Sequence, residues 1–143
     1  MAHHRLDTLR QLAPFAGCTD KELRRLDGLL DETTVPAGTT LTSEGTGGSQ
    51  AFVIVEGHAE ATLGGGRLAD FGPGDVVGEM ALLDRRAART ATVVTTTSSR
   101  VLVMDPRTFE TVMANFPTVA RHIATTLAQR LRASAPTPTS AAG

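Results

Sequence analysis

The apolar residues of this chain change from a helical period to a strand period and back, which predicts three regions. Residues 5–30 carry leucines at helical spacing, residues 32–104 carry short runs of Val, Ile, Phe and Thr between glycines, and residues 106–132 return to the helical period. We expect one domain over residues 1–132. Residues 133–143 are rich in Ala, Ser, Thr and Pro, which is typical of a disordered tail.

The predicted helices have recognisable ends. Thr19, with Glu22 three residues later, forms a capping box ahead of one helix. The apolar stripe of that helix consists of Leu23, Leu26, Leu29 and Leu30. Asp105 is a favoured N-cap residue, and Pro106 suits the first helical position. Pro117 ends that helix and opens the last one, because the residue before a proline is pushed out of the helical region. The stripe of the last helix consists of Val119, Ile123, Leu127 and Leu131.

The central region predicts a small β-barrel or sandwich of short strands. The run Ala51–Val55 is continuously apolar, as expected for a strand near the centre of a sheet. Glu56 and Gly57 predict a turn into the alternating strand His58–Leu63. Thr90–Thr97 and Arg100–Met104 predict a further pair of strands, with a hinge at Ser98 and Ser99.

Composition and charge exclude several classes of function. The 143 residues include 14 Lys or Arg and 15 Asp or Glu, so a net charge of -1 gives no bulk attraction to nucleic-acid polymers or membranes. With no Tyr or Trp, the chain has no platform of the kind on which single-strand binders stack bases. Cys18 is the one cysteine, which excludes a disulfide framework and a cysteine-based metal site, and we expect it to be a buried or half-buried residue and not a nucleophile.

No segment of the sequence predicts export or insertion into a membrane. No apolar run approaches the roughly 20 residues that span a bilayer, and the first ten residues have no apolar signal-peptide core. We therefore expect a cytoplasmic protein. The sequence leaves its oligomeric state open.

The segment at 71–93, FGPGDVVGEMALLDRRAARTATV, carries the candidate chemistry. Gly78 permits a tight turn, and residues 79–83 can form one helical turn whose first amides would bind an anion. Arg89 could make a bidentate pair with a phosphate, and Glu79 can accept a hydrogen bond from a hydroxyl group. This set matches a nucleotide, with a surface ion pair between Glu79 and Arg89 as the alternative.

Two parts of that segment, Val77–Leu83 and Arg89–Val93, resemble the phosphate-binding cassette of a known family. The family is that of the cyclic-nucleotide-binding domains of protein kinase A regulatory subunits, catabolite-activator-type regulators and cyclic-nucleotide-gated channels. Further segments share its pattern, namely Val35–Gly38, Phe52–Gly57 and Phe71–Asp75. The resemblance runs from about Leu9 to Leu131. It implies a mainly β fold: an eight-stranded jelly-roll β-barrel flanked by N-terminal helices and two C-terminal helices.

The resemblance also implies a role for each residue of the cassette. Glu79 corresponds to the acceptor of the ribose 2′-hydroxyl hydrogen bond, and Arg89 to the ligand of the cyclic phosphate. Gly78 and Ala81 correspond to positions whose backbone amides contact the sugar or the phosphate, and we include Met80, between them, in the binding set.

Thr90 bears on the identity of the base. Many cAMP-selective members have Ala or Ser here, whereas members that respond to cGMP commonly have Thr, whose hydroxyl can reach the phosphate and a syn guanine. The resemblance therefore permits both cAMP and cGMP. The chain departs from the family at Ala88, where a proline is often found, and its cassette is one residue longer than in the kinase subunits. Arg85 and Arg86 are expected to be solvated loop residues that raise the local positive potential.

The last helix is expected to close the site. In the family this helix folds over the purine, and in some bacterial channel members a late arginine stacks on the base; Arg130 lies at a similar distance after Pro117. A cation over a purine face would suit a protein without Tyr or Trp. Arg130 could equally be a surface arginine whose aliphatic stem follows the apolar stripe of the helix.

We therefore expect a receptor for cAMP or cGMP that has no catalytic activity, cofactor or metal and signals through its C-terminal helix to an effector protein in trans. A degenerate, ligand-free interaction module is the alternative. A cupin-like metalloenzyme would need clustered ligands, whereas His58 and His122 are isolated in the sequence. A transcription factor would need a helix-turn-helix, for which the eleven residues after Arg132 are too few.

Overall fold

Strands occupy the middle of the chain and helices its two ends. The computed structural model describes residues 2–43, 50–78 and 92–134. The helices are α1 (Ala2–Gln11), a short 3-10 helix (Ala13–Phe15), α2 (Asp20–Leu29), α3 (Pro106–Asn115) and α4 (Pro117–Ser134). The strands are β1 (Asp31–Val35), β2 (Thr40–Thr42), β3 (Ala51–Glu56), β4 (Ala59–Leu63), β5 (Gly66–Phe71), β6 (Val76–Val77), β7 (Thr92–Thr95) and β8 (Ser99–Met104).

The strands of the described residues form two four-stranded antiparallel sheets. The strand orders are β1-β8-β3-β6 and β2-β7-β4-β5. This arrangement confirms the expectation of eight strands in a mainly β fold. β3 and β4 lie in different sheets, and so do β7 and β8, so the chain crosses between sheets at these points instead of forming hairpins.

The two crossings lie side by side and hydrogen-bond to each other. The backbone N–H of His58 donates to the hydroxyl of Thr97 at 3.0 Å, and the N–H of Thr96 donates to the carbonyl of His58 at 2.9 Å. The two strands predicted on either side of residues 98–99 are present as β7 and β8, but they do not pair with each other. The residues that connect them hold the crossing from β3 to β4 in place through hydrogen bonds to His58.

β3 is buried on both faces, as its uninterrupted apolar run predicts. Ala51, Val53 and Val55 pack into the cluster shared with the helices, whereas Phe52 and Ile54 pack into the interior between the two sheets. Because β3 lies between β8 and β6, its predicted position near the centre of a sheet is confirmed.

α2 begins with the predicted capping box. The N–H of Thr19 donates to the Glu22 carboxylate at 2.8 Å, and the N–H of Glu22 donates to the Thr19 hydroxyl at 3.1 Å. Leu23, Leu26 and Leu30 are buried, but Leu29 is 36% exposed, so its predicted place in the buried stripe is wrong. Leu29 is the last helical residue, and the extended backbone of Leu30 turns the next side chain into the core instead.

The C-terminal helices begin where the sequence predicts. The N–H of Thr108 donates to the Asp105 carboxylate at 2.7 Å, and this cap holds the pKa of Asp105 below its usual value. α4 continues to Ser134, two residues beyond the predicted end, because the sequence contains no helix breaker before Pro136. The remainder of the predicted tail lies outside the described residues.

Substituting Gly57, at the crossing from β3 to β4, should destabilise the fold. Its φ is 107°, and a Cβ atom there would lie 2.8 Å from the Cα of Ser99 and still closer to the Ser99 hydroxyl. We expect Gly57→Ala to lower the free energy of unfolding by about 2–5 kcal/mol, from backbone strain plus overpacking. Urea unfolding at equilibrium measures this change.

Gly64→Ala is the matched control. Gly64 also has a positive φ, of 58°, but a Cβ there would have no atom within 4 Å, so only the backbone cost of about 1–2 kcal/mol applies. Equal losses in the two variants would contradict the close approach of Gly57 to Ser99.

Candidate functional site

A tight turn at residues 72–75 leads into the candidate site. The Asp75 carboxylate accepts a hydrogen bond from the N–H of Gly72 at 2.8 Å, and the N–H of Asp75 donates to the Gly72 carbonyl at 3.1 Å. The N–H of Gly74 donates to the carbonyl of Ile54, and the N–H of Ile54 donates to the carbonyl of Asp75. These two hydrogen bonds hold the turn against the centre of β3.

The chain leaves the first sheet at Gly78. β6 pairs with β3, Val77 opposite Phe52, and Gly78 follows with a φ of 88°. Glycine adopts this left-handed conformation without a steric penalty from Cβ, which is what a tight turn at this position requires. The next described residue, Thr92, begins β7 in the second sheet, between β2 and β4. The segment predicted to bind phosphate therefore connects the two sheets.

Most of the residues assigned to ligand binding fall in that connecting segment. Five of them lie outside the described residues: Glu79, Met80, Ala81, Arg89 and Thr90. The meeting of the Glu79 carboxylate, the Arg89 guanidinium and the backbone amides around a ligand accordingly stays a prediction.

The strands on either side of the segment share one apolar cluster. Val77, before the segment, and Val93, after it, are both buried in the interior between the sheets. Phe71, the last residue of β5, packs against the same cluster and is half-buried. The two ends of the segment and Phe71 are therefore held by the same packed interior.

Arg130 of α4 lies over the ring of Phe71. The guanidinium carbon is 4.9 Å from the ring centroid, a distance at which the cation is attracted to the electrons of the ring face. Sequence reasoning left a purine or the helix surface as the partner of Arg130 and did not consider Phe71. No local pattern in the sequence links Phe71 to a residue as distant along the chain as Arg130.

Other candidate chemistry is sparse in the described residues. Within residues 2–43, 50–78 and 92–134, no group of three or more His, Cys, Asp or Glu side chains lies close enough to hold a metal ion. Cys18 is buried, and its burial, with a smaller contribution from Glu22, raises the pKa of its thiol. In the same part of the chain, no helix combines the length and the apolarity that crossing a bilayer requires.

Comparison with known proteins decides the family. The family model of the cyclic nucleotide-binding domain matches residues 32–116, which is more than half of the chain and includes the whole connecting segment. The chain belongs to the cyclic nucleotide-binding domain family. The resemblance found in the sequence is thereby confirmed.

Relatives of this cyclic nucleotide-binding domain include signalling and regulatory proteins. It is 38% identical over 96 residues to the Pycsar effector protein XpPycTIR of Xanthomonas perforans, an alignment that covers 67% of this chain and 32% of that protein. It is 27% identical over 134 residues to the CRP-like cAMP-activated global transcriptional regulator of Mycobacterium tuberculosis, covering 88% of this chain and 58% of the regulator. The chain thus spans about a third of the first relative and little more than half of the second.

A solved structure supports the same fold. The catabolite activator protein of Thermus thermophilus superposes with a TM-score of 0.74 at 28% identity, over 85% of this chain and 59% of that one. Together with the two sheets of the described residues, this match confirms the expected jelly roll of the cyclic nucleotide-binding domain.

Removing the Asp75 carboxylate should loosen the turn that leads to Gly78. Asp75→Ala loses the hydrogen bond from the Gly72 N–H, so we expect the free energy of unfolding to fall by about 1 kcal/mol. Asp75→Asn keeps an acceptor oxygen at the same position, so its free energy of unfolding should fall by less. Urea unfolding of both variants measures the difference, and an equally large loss in the asparagine variant would contradict this role of the carboxylate oxygen.

Proposed function

We propose that this chain is a receptor for a cyclic nucleotide, cAMP or cGMP, and that it has no catalytic activity of its own. The observation that carries the proposal is the family match, which spans the segment between Gly78 and Thr92. The Mycobacterium tuberculosis relative, described as cAMP-activated, supports the choice of ligand class. The ligand is held without a metal or another cofactor.

In this proposal, the connecting segment binds the sugar and the phosphate. Arg89 pairs with the cyclic phosphate and Glu79 accepts the hydrogen bond of the ribose 2′-hydroxyl, while Gly78, Met80 and Ala81 contribute backbone contacts. The left-handed backbone of Gly78 supports this arrangement, since it allows the chain to turn sharply out of β6. One phosphate requires positive charge at only one point, which suits a chain of nearly zero net charge.

The signal leaves the domain through α4. Val119 and Ile123, near its start, are each 1% exposed, whereas Leu127 is only half-buried. A helix anchored at one end can change position at the other, and a ligand that binds one position more tightly shifts the population toward it. We propose that Arg130 covers the bound base in the closed position.

An effector protein reads the position of α4. The Xanthomonas relative is named an effector protein, and the matched region makes up 32% of it, so in that relative the region is one part of a longer effector chain. This supports an effector as the kind of partner, not its separation from the sensor. We propose that the effector of this chain acts in trans. We propose that the protein acts in the cytoplasm, where its single cysteine, the buried Cys18, would stay a free thiol.

Arg89→Ala should weaken the binding of cyclic nucleotide strongly. A charge-assisted hydrogen bond contributes about 1.5–3 kcal/mol, so the dissociation constant for cAMP or cGMP should rise by roughly 10- to 150-fold in calorimetric titration. Arg86→Ala, which removes the same charge from a neighbouring position, serves as control and should change affinity by no more than about threefold. Similar losses in both variants would remove Arg89 from its assigned role.

Thr90→Ala should change the preference between the two ligands. If the Thr90 hydroxyl reaches the guanine amino group, losing it should weaken cGMP binding by roughly 2- to 10-fold more than cAMP binding. Thr96→Ala, a hydroxyl removed from an exposed position beyond β7, should leave the ratio of the two affinities unchanged. An unchanged ratio in Thr90→Ala would show that Thr90 does not select the base.

A further inference from the structure

The described side chains in the second half of α4 are far less buried than those in its first half. Phe116, Val119 and Ile123 are buried in the core shared by the helices. From residue 124 to residue 130, every side chain is half-buried or exposed. A helix end with little buried surface opens locally at a small cost in free energy, so each contact along it has a measurable effect on its position.

The contact between Arg130 and Phe71 joins this half of α4 to the barrel. Phe71 is a fixed partner, since its backbone pairs with Ala59 of β4 and its ring packs against the interior cluster. Arg130 is the moving partner, carried by a long side chain near the helix end. The 4.9 Å separation is an attractive one.

The same distance leaves no room for a base between the two groups. Carbon atoms in contact are about 3.5–4.0 Å apart, so a purine between a guanidinium and a ring would need them roughly 7 Å apart or more. Arg130 therefore cannot cover a base stacked on that face of Phe71 while the observed contact persists. The ring lies beside the guanidinium, on a side that a base would otherwise be able to approach.

We propose that Arg130 and Phe71 form a latch, which holds the second half of α4 on the barrel without ligand, and that a bound base must take the guanidinium over from the ring. Phe71 is then an internal competitor of the ligand and sets the threshold at which α4 responds. The competition rests on the proposed function of the chain, whereas the latch itself does not.

Hydrogen exchange of the ligand-free protein tests the latch. Phe71→Leu keeps an apolar side chain but removes the ring, so the amides of residues 125–132 should exchange roughly two- to fivefold faster, with those of β3 and β8 unchanged. Arg130→Gln should have a similar effect, and the double variant should exchange no faster than the faster single variant. Unchanged exchange in Phe71→Leu, or rate increases that multiply in the double variant, would overturn the latch.

The chain offers a matched control for these variants. Arg25 of α2 lies over the ring of Phe116, also at 4.9 Å from the centroid, but Phe116 is fully buried at the junction of α3 and α4. Arg25→Gln removes the same kind of contact and should leave exchange at residues 125–132 unchanged. Faster exchange there in Arg25→Gln would mean that α4 responds to any loss of stability and would overturn a specific latch.

Titration with cAMP and cGMP tests the competition. Without the ring, less work is needed to free Arg130, so Phe71→Leu should bind the nucleotide roughly two- to fivefold more tightly than the unaltered chain. Unchanged or weaker binding would overturn the competition. If the unaltered chain binds neither nucleotide while the exchange results are as expected, the proposed function fails and the latch is supported.

Discussion

The burial of β3 on both faces is the constraint on which the rest of the structure depends. One set of its side chains packs against the helices and the other fills the space between the sheets, so β3 fixes both layers relative to each other. Its backbone also holds the turn at residues 72–75, through two hydrogen bonds at Ile54, and pairs with β6. The place where Gly78 leaves the sheet therefore follows from the packing of a single strand, and so does the starting point of the segment that we propose binds phosphate.

Features that depend on neighbouring residues could be predicted from the sequence, and features that depend on distant ones could not. The Thr19 capping box and the Asp105 cap are local hydrogen bonds between residues three positions apart, so the sequence shows both partners. The exposure of Leu29 depends on where the chain turns toward β1, which no periodicity specifies. The crossings between sheets depend on long-range strand pairing. The family was predicted from the cassette residues themselves, whose arrangement in space stays a prediction.

The contact of Arg130 with Phe71 changes how the end of the chain is understood. From the sequence, Arg130 was expected either to stack on a ligand base or to lie along the helix surface. A contact with Phe71 was not expected, because Phe71 lies far away along the chain. In the structure its guanidinium contacts a protein ring that packs against the interior cluster flanking the candidate site. In the proposed latch, the ring of Phe71 takes the place beside the Arg130 guanidinium that a bound base would need.

The central claim, that this domain binds a cyclic nucleotide, is tested most directly by measuring its stability with and without ligand. Equilibrium urea unfolding with cAMP, with cGMP and with non-cyclic 5′-AMP separates cyclic-nucleotide binding from general nucleotide binding. A cyclic nucleotide at one hundred times its dissociation constant should raise the free energy of unfolding by about 2.7 kcal/mol, and 5′-AMP at the same concentration should raise it much less. No increase with millimolar cAMP or cGMP, in protein that unfolds cooperatively, would contradict the account.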